Sequence, residues 1–152
     1  MFCRSLCCCA VANTVTWEKT IPFIPPITKG VVIKVYDGDT ITLASKLPYR
    51  KSPMYRFRVR LSKIDAPEIR TKDKYEKKMA EISRDKLAER ILNKKVKLLN
   101  VNTEKYGRVL ADVYYNGICM SDWMLSQNLA VPYDGGKKTE INWKSYLTIH
   151  SK

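Results

Sequence analysis

Alternating apolar and polar residues dominate the middle of the chain, and this alternation predicts β-strands. Residues 30–36 carry four closely spaced aliphatic side chains, and Asp37-Gly38 follows them as a strong turn pair. Residues 39–43 then alternate Ile41 and Leu43 with threonines. We therefore predict a β-hairpin at the start of the folded region.

Residues 54–64 predict a third strand whose two faces differ in character. Its apolar residues alternate with an evenly spaced row of arginines at positions 56, 58 and 60. Like charges along one strand face repel each other, so such a row is tolerated where an anion or carboxylates lie against it. The strand is therefore expected to be apolar on one face and to bind anions on the other.

The apolar period changes after the third strand. Over residues 73–93 apolar side chains recur about every fourth position, which predicts an amphipathic helix that covers the sheet. Two more strands are expected over residues 95–101 and 109–115, with Asn116-Gly117 as a second hairpin turn.

A short second helix is expected over residues 121–128. Ser121 is its candidate N-cap, and Trp123 and Met124 are expected to face inward. One or two further helical turns within residues 133–152 complete the predicted elements.

Five strands with a helix between the third and fourth are the element order of an OB-fold, a small barrel that commonly binds nucleic acids or sugars. We therefore assign the chain to the mainly β class with helices (α+β), as a five-stranded OB-fold β-barrel with two to three helices. The expected organisation is a Cys-rich tail and Pro-rich arm over residues 1–29, the OB-fold domain over residues 30–145 and a polar tail over residues 146–152.

Charge narrows the class of partner. The 152 residues include 28 Lys and Arg against 15 Asp and Glu, a formal net charge of +13. Residues 46–108 hold 20 of those basic residues and only 8 of the acidic ones. This concentration favours a phosphate-rich partner or an anionic membrane surface.

Histidine chemistry is excluded by composition. The chain has one histidine, His150, in a polar segment, so sites that depend on an imidazole held inside the fold are not expected. If the protein is an enzyme, carboxylates, arginines and a hard metal ion must supply its chemistry.

Three short motifs carry the candidate chemistry. They are Asp37-Gly38-Asp39-Thr40, residues 60–68 (Arg-Leu-Ser-Lys-Ile-Asp-Ala-Pro-Glu) and residues 104–111 (Glu-Lys-Tyr-Gly-Arg-Val-Leu-Ala). Each is weak alone, since aspartates beside glycine are common turn residues. In this order and on these elements, the motifs resemble the thermonuclease family, the staphylococcal-nuclease-like domains, over roughly residues 30–131.

The resemblance implies a calcium-dependent nuclease that hydrolyses phosphodiester bonds of DNA, RNA or both and leaves 3′-phosphate ends. It implies that Asp39 and Asp65 are the carboxylate ligands of Ca²⁺ and that Ala66 lies next to the metal through its carbonyl. Two carboxylates and a carbonyl form an all-oxygen donor set, which suits Ca²⁺ or Mg²⁺ and disfavours zinc.

The same resemblance implies roles for five further residues. Glu68 would orient or deprotonate the attacking water, and Arg60 and Arg108 would bind the scissile phosphate. Lys105 and Tyr106 match family positions that line the nucleotide pocket. The family often carries a pair of tyrosines after Leu129-Ala130, where this chain has only one, so base stacking at that wall is not assured.

Strand parity makes two structural predictions about this site. Asp39 shares the parity of the two aliphatic residues that follow it, so its side chain is expected near the barrel mouth, where an unpaired carboxylate is costly unless a cation lies against it. Arg60 and Asp65 have opposite parity and converge only if the strand bends between them. We predict such an irregularity over residues 62–64.

Two alternatives to a nuclease stay open. One is a non-catalytic nucleic-acid-binding module of the same fold, and the other is a basic adaptor on anionic lipid. Cysteines at positions 3, 7, 8 and 9 offer S-acylation as a membrane tether, while the apolar run over residues 6–12 weakly resembles a secretory signal. We expect a monomer and favour an intracellular location, with membrane association as an alternative and secretion less favoured.

Overall fold

The computed structural model describes residues 15–104, 106–137 and 139–150 and confirms the predicted barrel. Five strands follow one another around it in the order β3-β2-β1-β5-β6, and pairing of β3 with β6 closes the ring. Among the described residues the strands are β1 (Lys29–Val35), β2 (Thr40–Lys46), β3 (Met54–Leu61), β4 (Ile64–Asp65), β5 (Lys95–Thr103), β6 (Val109–Tyr115), β7 (Ile118–Cys119) and β8 (Val131–Pro132).

The closure between β3 and β6 is parallel, whereas the other barrel pairings are antiparallel. Arg60 lies opposite Leu110 across this closure and opposite Thr40 on its other side. The strand that carries the arginine row therefore runs between the first hairpin and the segment that follows Arg108.

The barrel interior is filled by the aliphatic positions that the alternation predicts. Ile41, Leu43, Val59 and Leu61 are completely buried. Burying each such side chain contributes on the order of 1.5–3 kcal/mol relative to leaving it in water. The alternation that sends these residues inward also sends their neighbours on β3 to the outer face.

Helix α1 (Lys74–Ile91) covers one end of the barrel, where the sequence predicts a helix. It begins at Asp73, whose side chain accepts hydrogen bonds from the backbone of Tyr75 and Glu76 and so satisfies two otherwise unpaired N–H groups. Its buried apolar residues include Met79 and Leu87. Exposed charged residues occupy the remaining turns.

Helix α2 (Met120–Ser126) corrects the prediction for Ser121. The N-cap is Cys119, so the helix begins one residue earlier than expected and Ser121 lies within its first turn. Ser121 is completely buried, and its hydroxyl donates a hydrogen bond of 2.7 Å to the carbonyl of Ser62. The serine therefore ties α2 to the end of β3 instead of capping the helix.

Helix α3 (Trp143–His150) continues past residue 145, where a polar tail was expected to begin. Trp143 is buried, and its ring lies 5.3 Å from that of Tyr146, centroid to centroid. Residues 146–150 are thus helical, and the aromatic pair lies at the start of this helix. Residues 151 and 152 lie outside the described part of the chain.

An extended arm precedes the barrel, as the prolines predict. Its described residues include a 3-10 turn (Trp17–Lys19) and leave Trp17 and Phe23 largely exposed. The four clustered cysteines, with the predictions of acylation and secretion that depend on them, lie outside the described residues. None of the helices described here has the length and apolarity needed to cross a bilayer.

Candidate active site

The turn between β1 and β2 places Asp39 at the mouth of the barrel. The backbone N–H of Tyr36 donates to the carbonyl of Thr40 across 2.8 Å, and the N–H of Asp39 donates to Asp37 Oδ1 across 3.3 Å. Asp39 is only 7% exposed, as its strand parity predicts. Gly38 lies so close to α1 that a Cβ atom there would be 2.9 Å from Cβ of Ser83.

The predicted irregularity after Arg60 is present. Strand β3 ends at Leu61, and Lys63 adopts a left-handed backbone with φ of 65° before β4 begins. Asp112, on β6, holds this turn by accepting hydrogen bonds from the side chains of Ser62 and Lys63. The change of direction brings Asp65 to the same side as Arg60.

Arg60 lies between the two aspartates and binds both. Its Nη1 donates to Asp39 Oδ2 across 2.6 Å, and its Nη2 donates to Asp65 Oδ1 across 3.0 Å. The arginine side chain is only 9% exposed. The cation that the buried Asp39 carboxylate requires is therefore supplied, in this structure, by Arg60.

Asp39 is held in an unusually costly environment for a carboxylate. Burial raises its pKa to about 7, because desolvation of the charged form outweighs the attraction of the Arg60 guanidinium. Thr40 partly offsets this cost by donating from its hydroxyl to Asp39 Oδ1 across 2.8 Å. An additional positive charge at this position would be stabilising.

A second arginine enters from the turn between β5 and β6. Arg108 forms an ion pair with Glu104, and its Nη1 donates to the hydroxyl of Thr40 across 3.3 Å. Glu104 Oε2 also lies 3.9 Å from Nε of Arg60. One glutamate thus fixes the positions of both arginines.

Glu104 was not singled out as a site residue by the sequence, although it stands in the third motif. The sequence feature that could have identified Glu104 is its position four residues before Arg108. A tight turn joins the two residues, and in it the N–H of Gly107 donates to the Glu104 carbonyl across 2.9 Å. Tyr133 was not assigned a role either. Its ring centroid lies 5.7 Å from the Arg60 guanidinium carbon, close enough for a cation–π contact.

One cavity of about 450 Å³ brings the predicted site residues together. The side chains that line it come from all three motifs, and Glu104 and Tyr133 lie among them. The predicted residues on its wall are Asp39, Arg60, Asp65, Ala66, Glu68, Tyr106 and Arg108. Lys105, which was predicted to line the nucleotide pocket, lies outside the described residues.

The donor set at this cavity is compatible with a hard cation. Asp39 and Asp65 converge on one guanidinium, and the N–H of Ala66 donates to Asp39 Oδ2 across 3.3 Å. Where the chain is described, no cluster of three or more His, Cys, Asp or Glu side chains could hold a metal. A site here would therefore need backbone oxygen as well as the two carboxylates, which matches the set implied by the resemblance.

Comparison with known proteins confirms the resemblance drawn from the three motifs. The family model for staphylococcal nuclease homologues matches residues 58–150, which is more than half of the chain. The chain therefore belongs to this family, and the five-stranded barrel and three α-helices of its described residues are a fold of that kind.

Individual relatives agree with this assignment. Staphylococcal-like nuclease CAN1 of Arabidopsis thaliana is 36% identical over 94 residues, covering 59% of this chain and 27% of the plant protein. An uncharacterized endonuclease of Haemophilus influenzae is 33% identical over 102 residues, covering 67% and 51% of the two chains. Protein ParB of Escherichia coli is 36% identical over 89 residues, covering 58% and 42%. The chain spans between about a quarter and about half of the length of these relatives.

Proposed function

We propose that this protein is a nuclease that hydrolyses phosphodiester bonds of DNA, RNA or both, using Ca²⁺. The observation that carries the proposal is that five carboxylates and two arginines from three separate motifs line one cavity beside the barrel mouth. Neither a core nor a plain surface requires so many charged groups at one place.

The arginines account for binding of the scissile phosphate. Arg60 approaches the cavity from β3, and Arg108 approaches it from the turn before β6, the strand that pairs with β3. The guanidinium nitrogens of both can donate paired hydrogen bonds to phosphoryl oxygens. Charge builds on those oxygens as the bond to the leaving group breaks. Glu104 holds Arg108 in place beforehand, and removal of a fixed donor of this kind lowers a rate by on the order of 10²–10³.

Glu68 is proposed as the group that accepts a proton from the attacking water. It follows Asp65 by three residues and lines the same cavity, and its own N–H donates to Glu76 Oε1 across 3.1 Å. That bond to α1 fixes the backbone of the segment that carries the glutamate. A positioned carboxylate base contributes about 10²–10⁴ in rate.

Asp39 and Asp65 are the proposed carboxylate ligands of Ca²⁺, with Ala66 as the source of a carbonyl ligand. When bound, the cation supplies positive charge that polarises the phosphoryl group and lowers the pKa of water. The chain's own contribution is a pair of acidic side chains held together at low exposure, at 10% for Asp39 and 14% for Asp65. Arg60, which now joins these carboxylates, would then be available to the phosphate.

The test is a cleavage assay on the purified chain. Single-stranded DNA, duplex DNA and RNA are incubated with protein in Ca²⁺, in Mg²⁺ and in chelator, and the products are separated on denaturing gels. We expect cleavage in Ca²⁺ and intact substrate in chelator. Labelled ends then report whether the products carry 3′-phosphates.

Two glutamate variants make the assay specific. Glu68→Gln is expected to lower the rate by at least about 10², whereas Glu81→Gln removes the same charge from the exposed face of α1 and is expected to leave the rate unchanged. Intact substrates in every wild-type lane, combined with retained binding of the same oligonucleotides, would favour the non-catalytic binding module instead. Equal rates for the two variants would remove Glu68 from the mechanism.

A further inference from the structure

A second groove, of about 390 Å³, continues from the catalytic cavity along the outer face of β3. The two share the lining residues Tyr106 and Arg108, so they adjoin at these side chains. Arg56 and Arg58 form its far wall. None of the described residues that line this groove is acidic, in contrast to the catalytic cavity.

The arginine row divides into two parts with different electrostatic surroundings. Arg60 is buried against carboxylates, whereas Arg56 and Arg58 are exposed, and no carboxylate of a described residue forms an ion pair with either. Arg58 instead lies over the ring of Tyr36, with its guanidinium carbon 5.1 Å from the centroid. The outer two guanidinium groups thus present their donors to an external anion.

Three aromatic side chains line the same groove, of which Phe57 is partly buried and the other two are exposed. Tyr106, at the shared edge, is 72% exposed, and Phe23, from the extended arm, is 70% exposed. A phenyl ring exposed beside arginines offers a flat apolar face on which a base can stack. Phe23 precedes the region that the family model matches, so this wall is contributed by a part of the chain outside that match.

We propose that this groove binds the nucleotides that flank the scissile phosphate on one side, as a single strand. Arg58 and Arg56 bind successive phosphates, and Phe23 stacks on a base. Alternate residues of a strand lie about 6.6–6.8 Å apart, so the guanidinium groups form an evenly spaced track beside an extended backbone. The inference rests on the proposed function, because it extends the substrate beyond the phosphate held at the catalytic cavity.

The aromatic groups favour a single strand over a duplex. Bases in a duplex are already stacked on their neighbours and offer no free face to a ring inserted from the side. Base–aromatic stacking tolerates any sequence because every base has such a face. The groove is therefore expected to contribute affinity and strand preference without base specificity.

Binding in chelator tests the groove without any cleavage. Fluorescein-labelled (dT)12, (dT)2 and a 12-base-pair duplex are titrated with wild-type protein and with the double variant Arg56→Gln/Arg58→Gln, and anisotropy is recorded over a range of salt concentrations. We expect (dT)12 to bind the double variant about tenfold more weakly, with a plot of log K against log salt that is shallower by about 1.4, since each single-strand phosphate contact contributes about 0.7. Binding of (dT)2, which occupies only the catalytic cavity, should not change.

The matched control removes the same charge elsewhere. Lys77→Gln/Lys78→Gln lies on the exposed face of α1 and borders neither cavity. It should bind (dT)12 as the wild type does. Equal losses in the two double variants would overturn the proposal, because general charge would then explain the binding.

Phe23→Ala supplies an independent variant for the stacking contact. It should weaken (dT)12 binding about fivefold or more while leaving the salt slope unchanged, and Trp17→Ala, an exposed aromatic of the same arm that does not border the groove, should have no effect. Wild-type affinity in both Phe23→Ala and the arginine double variant would overturn the proposal. Binding to phosphatidylserine vesicles is measured on the same variants. Loss of vesicle binding together with unchanged (dT)12 binding in the arginine variant would also overturn the proposal.

The readouts separate this inference from the proposed function. If the wild type does not cleave in Ca²⁺, the proposed nuclease activity is refuted. The binding data still test whether the groove binds a single strand. A wild type that cleaves, together with unchanged (dT)12 binding in the arginine variant, would refute the groove alone.

Discussion

Arg60 and Asp39 form an ion pair of 2.6 Å in which both side chains are about nine-tenths buried. The same guanidinium also binds Asp65, and it lies within 3.9 Å of Glu104. A single arginine thus balances a cluster of carboxylates that would otherwise repel one another. Arg60 is consequently both a proposed phosphate ligand and a structural element of the barrel mouth.

This double role predicts different consequences for the two site arginines. Arg60→Gln should lower the free energy of unfolding by about 3 kcal/mol, because it leaves carboxylates buried without their cation. Arg108→Gln should cost less than about 1 kcal/mol, because that side chain is 27% exposed. Both should lower the cleavage rate by about 10²–10³.

Urea unfolding and initial cleavage rates on the same preparations separate the two quantities. Arg60→Lys keeps the charge but not the paired donors, so it should recover stability more than rate. Equal stability losses in Arg60→Gln and Arg108→Gln would contradict the structural role of Arg60.

Glu104 is predicted to act by positioning the arginines. Glu104→Gln should lower kcat about tenfold with little change in KM for a short oligonucleotide, because Arg108 loses its charged partner and must reorganise when charge develops on the phosphate. Glu140→Gln, on an exposed segment, is the matched control and should behave as wild type. An unchanged kcat in Glu104→Gln would show that Arg108 needs no such partner.

Asp112 is predicted to make stability depend on pH. Burial alone would raise its pKa, but hydrogen bonds donated by Ser62, Asn100 and Lys63 outweigh it and hold the pKa below its usual range. A carboxyl group whose pKa is lowered on folding stabilises the fold at pH values above its pKa in the unfolded chain, which is about 4. That stabilisation is lost as the pH falls through the folded pKa.

The measurement is thermal unfolding of wild type and Asp112→Asn at pH 7 and at successively lower pH. We expect the variant to be less stable at pH 7 and the gap in Tm to narrow below about pH 4. Asp122→Asn, a surface residue of α2, should show no such gap. A gap of constant size across the range would contradict the assignment to ionised Asp112.

Substitution of Gly38 is predicted to disturb both the packing around its turn and the position of Asp39 in the site. In Gly38→Ala the new methyl group would lie 2.8 Å from Cβ of Ala66, so the turn that carries Asp39 must move. We expect a loss of about 1–3 kcal/mol in the free energy of unfolding, together with reduced cleavage.

Gly117→Ala provides the comparison, because Gly117 has φ of 79° and nothing close to its missing Cβ. Its free energy of unfolding should fall by about 1–2 kcal/mol, through backbone strain alone. Chemical unfolding and initial rates should therefore show two destabilised variants, of which only Gly38→Ala cleaves more slowly. Unimpaired cleavage in Gly38→Ala would mean that Asp39 tolerates movement of its turn.

The sequence predicted the features of the fold that depend on local pattern. Alternation on β2 and β3 identified the buried residues, and opposite parity of Arg60 and Asp65 required the turn that the structure shows at Ser62 and Lys63. Such features follow from the geometry of one strand or one turn and need no knowledge of distant contacts.

Partnerships between distant segments were harder to predict. Arg60 as the cation between two aspartates, Glu104 as the partner of both arginines and the hydroxyl of Ser121 on the carbonyl of Ser62 all depend on how the barrel closes. The extension of α3 past residue 145 was not predicted from the sequence pattern either. The spacing of charged residues in the sequence does not determine which of them form pairs in the folded protein.

The parallel pairing of β3 with β6 joins Val59 to Val109, residues fifty positions apart. Arg60 and Arg108 therefore face one another only after α1 and β5 have been made and the ring has closed, a slow type of contact for a folding chain. In a nascent or partly unfolded chain the two arginines are far apart, so the proposed phosphate-binding pair is not formed. Any phosphate binding that needs both arginines together would therefore begin only once the barrel has closed.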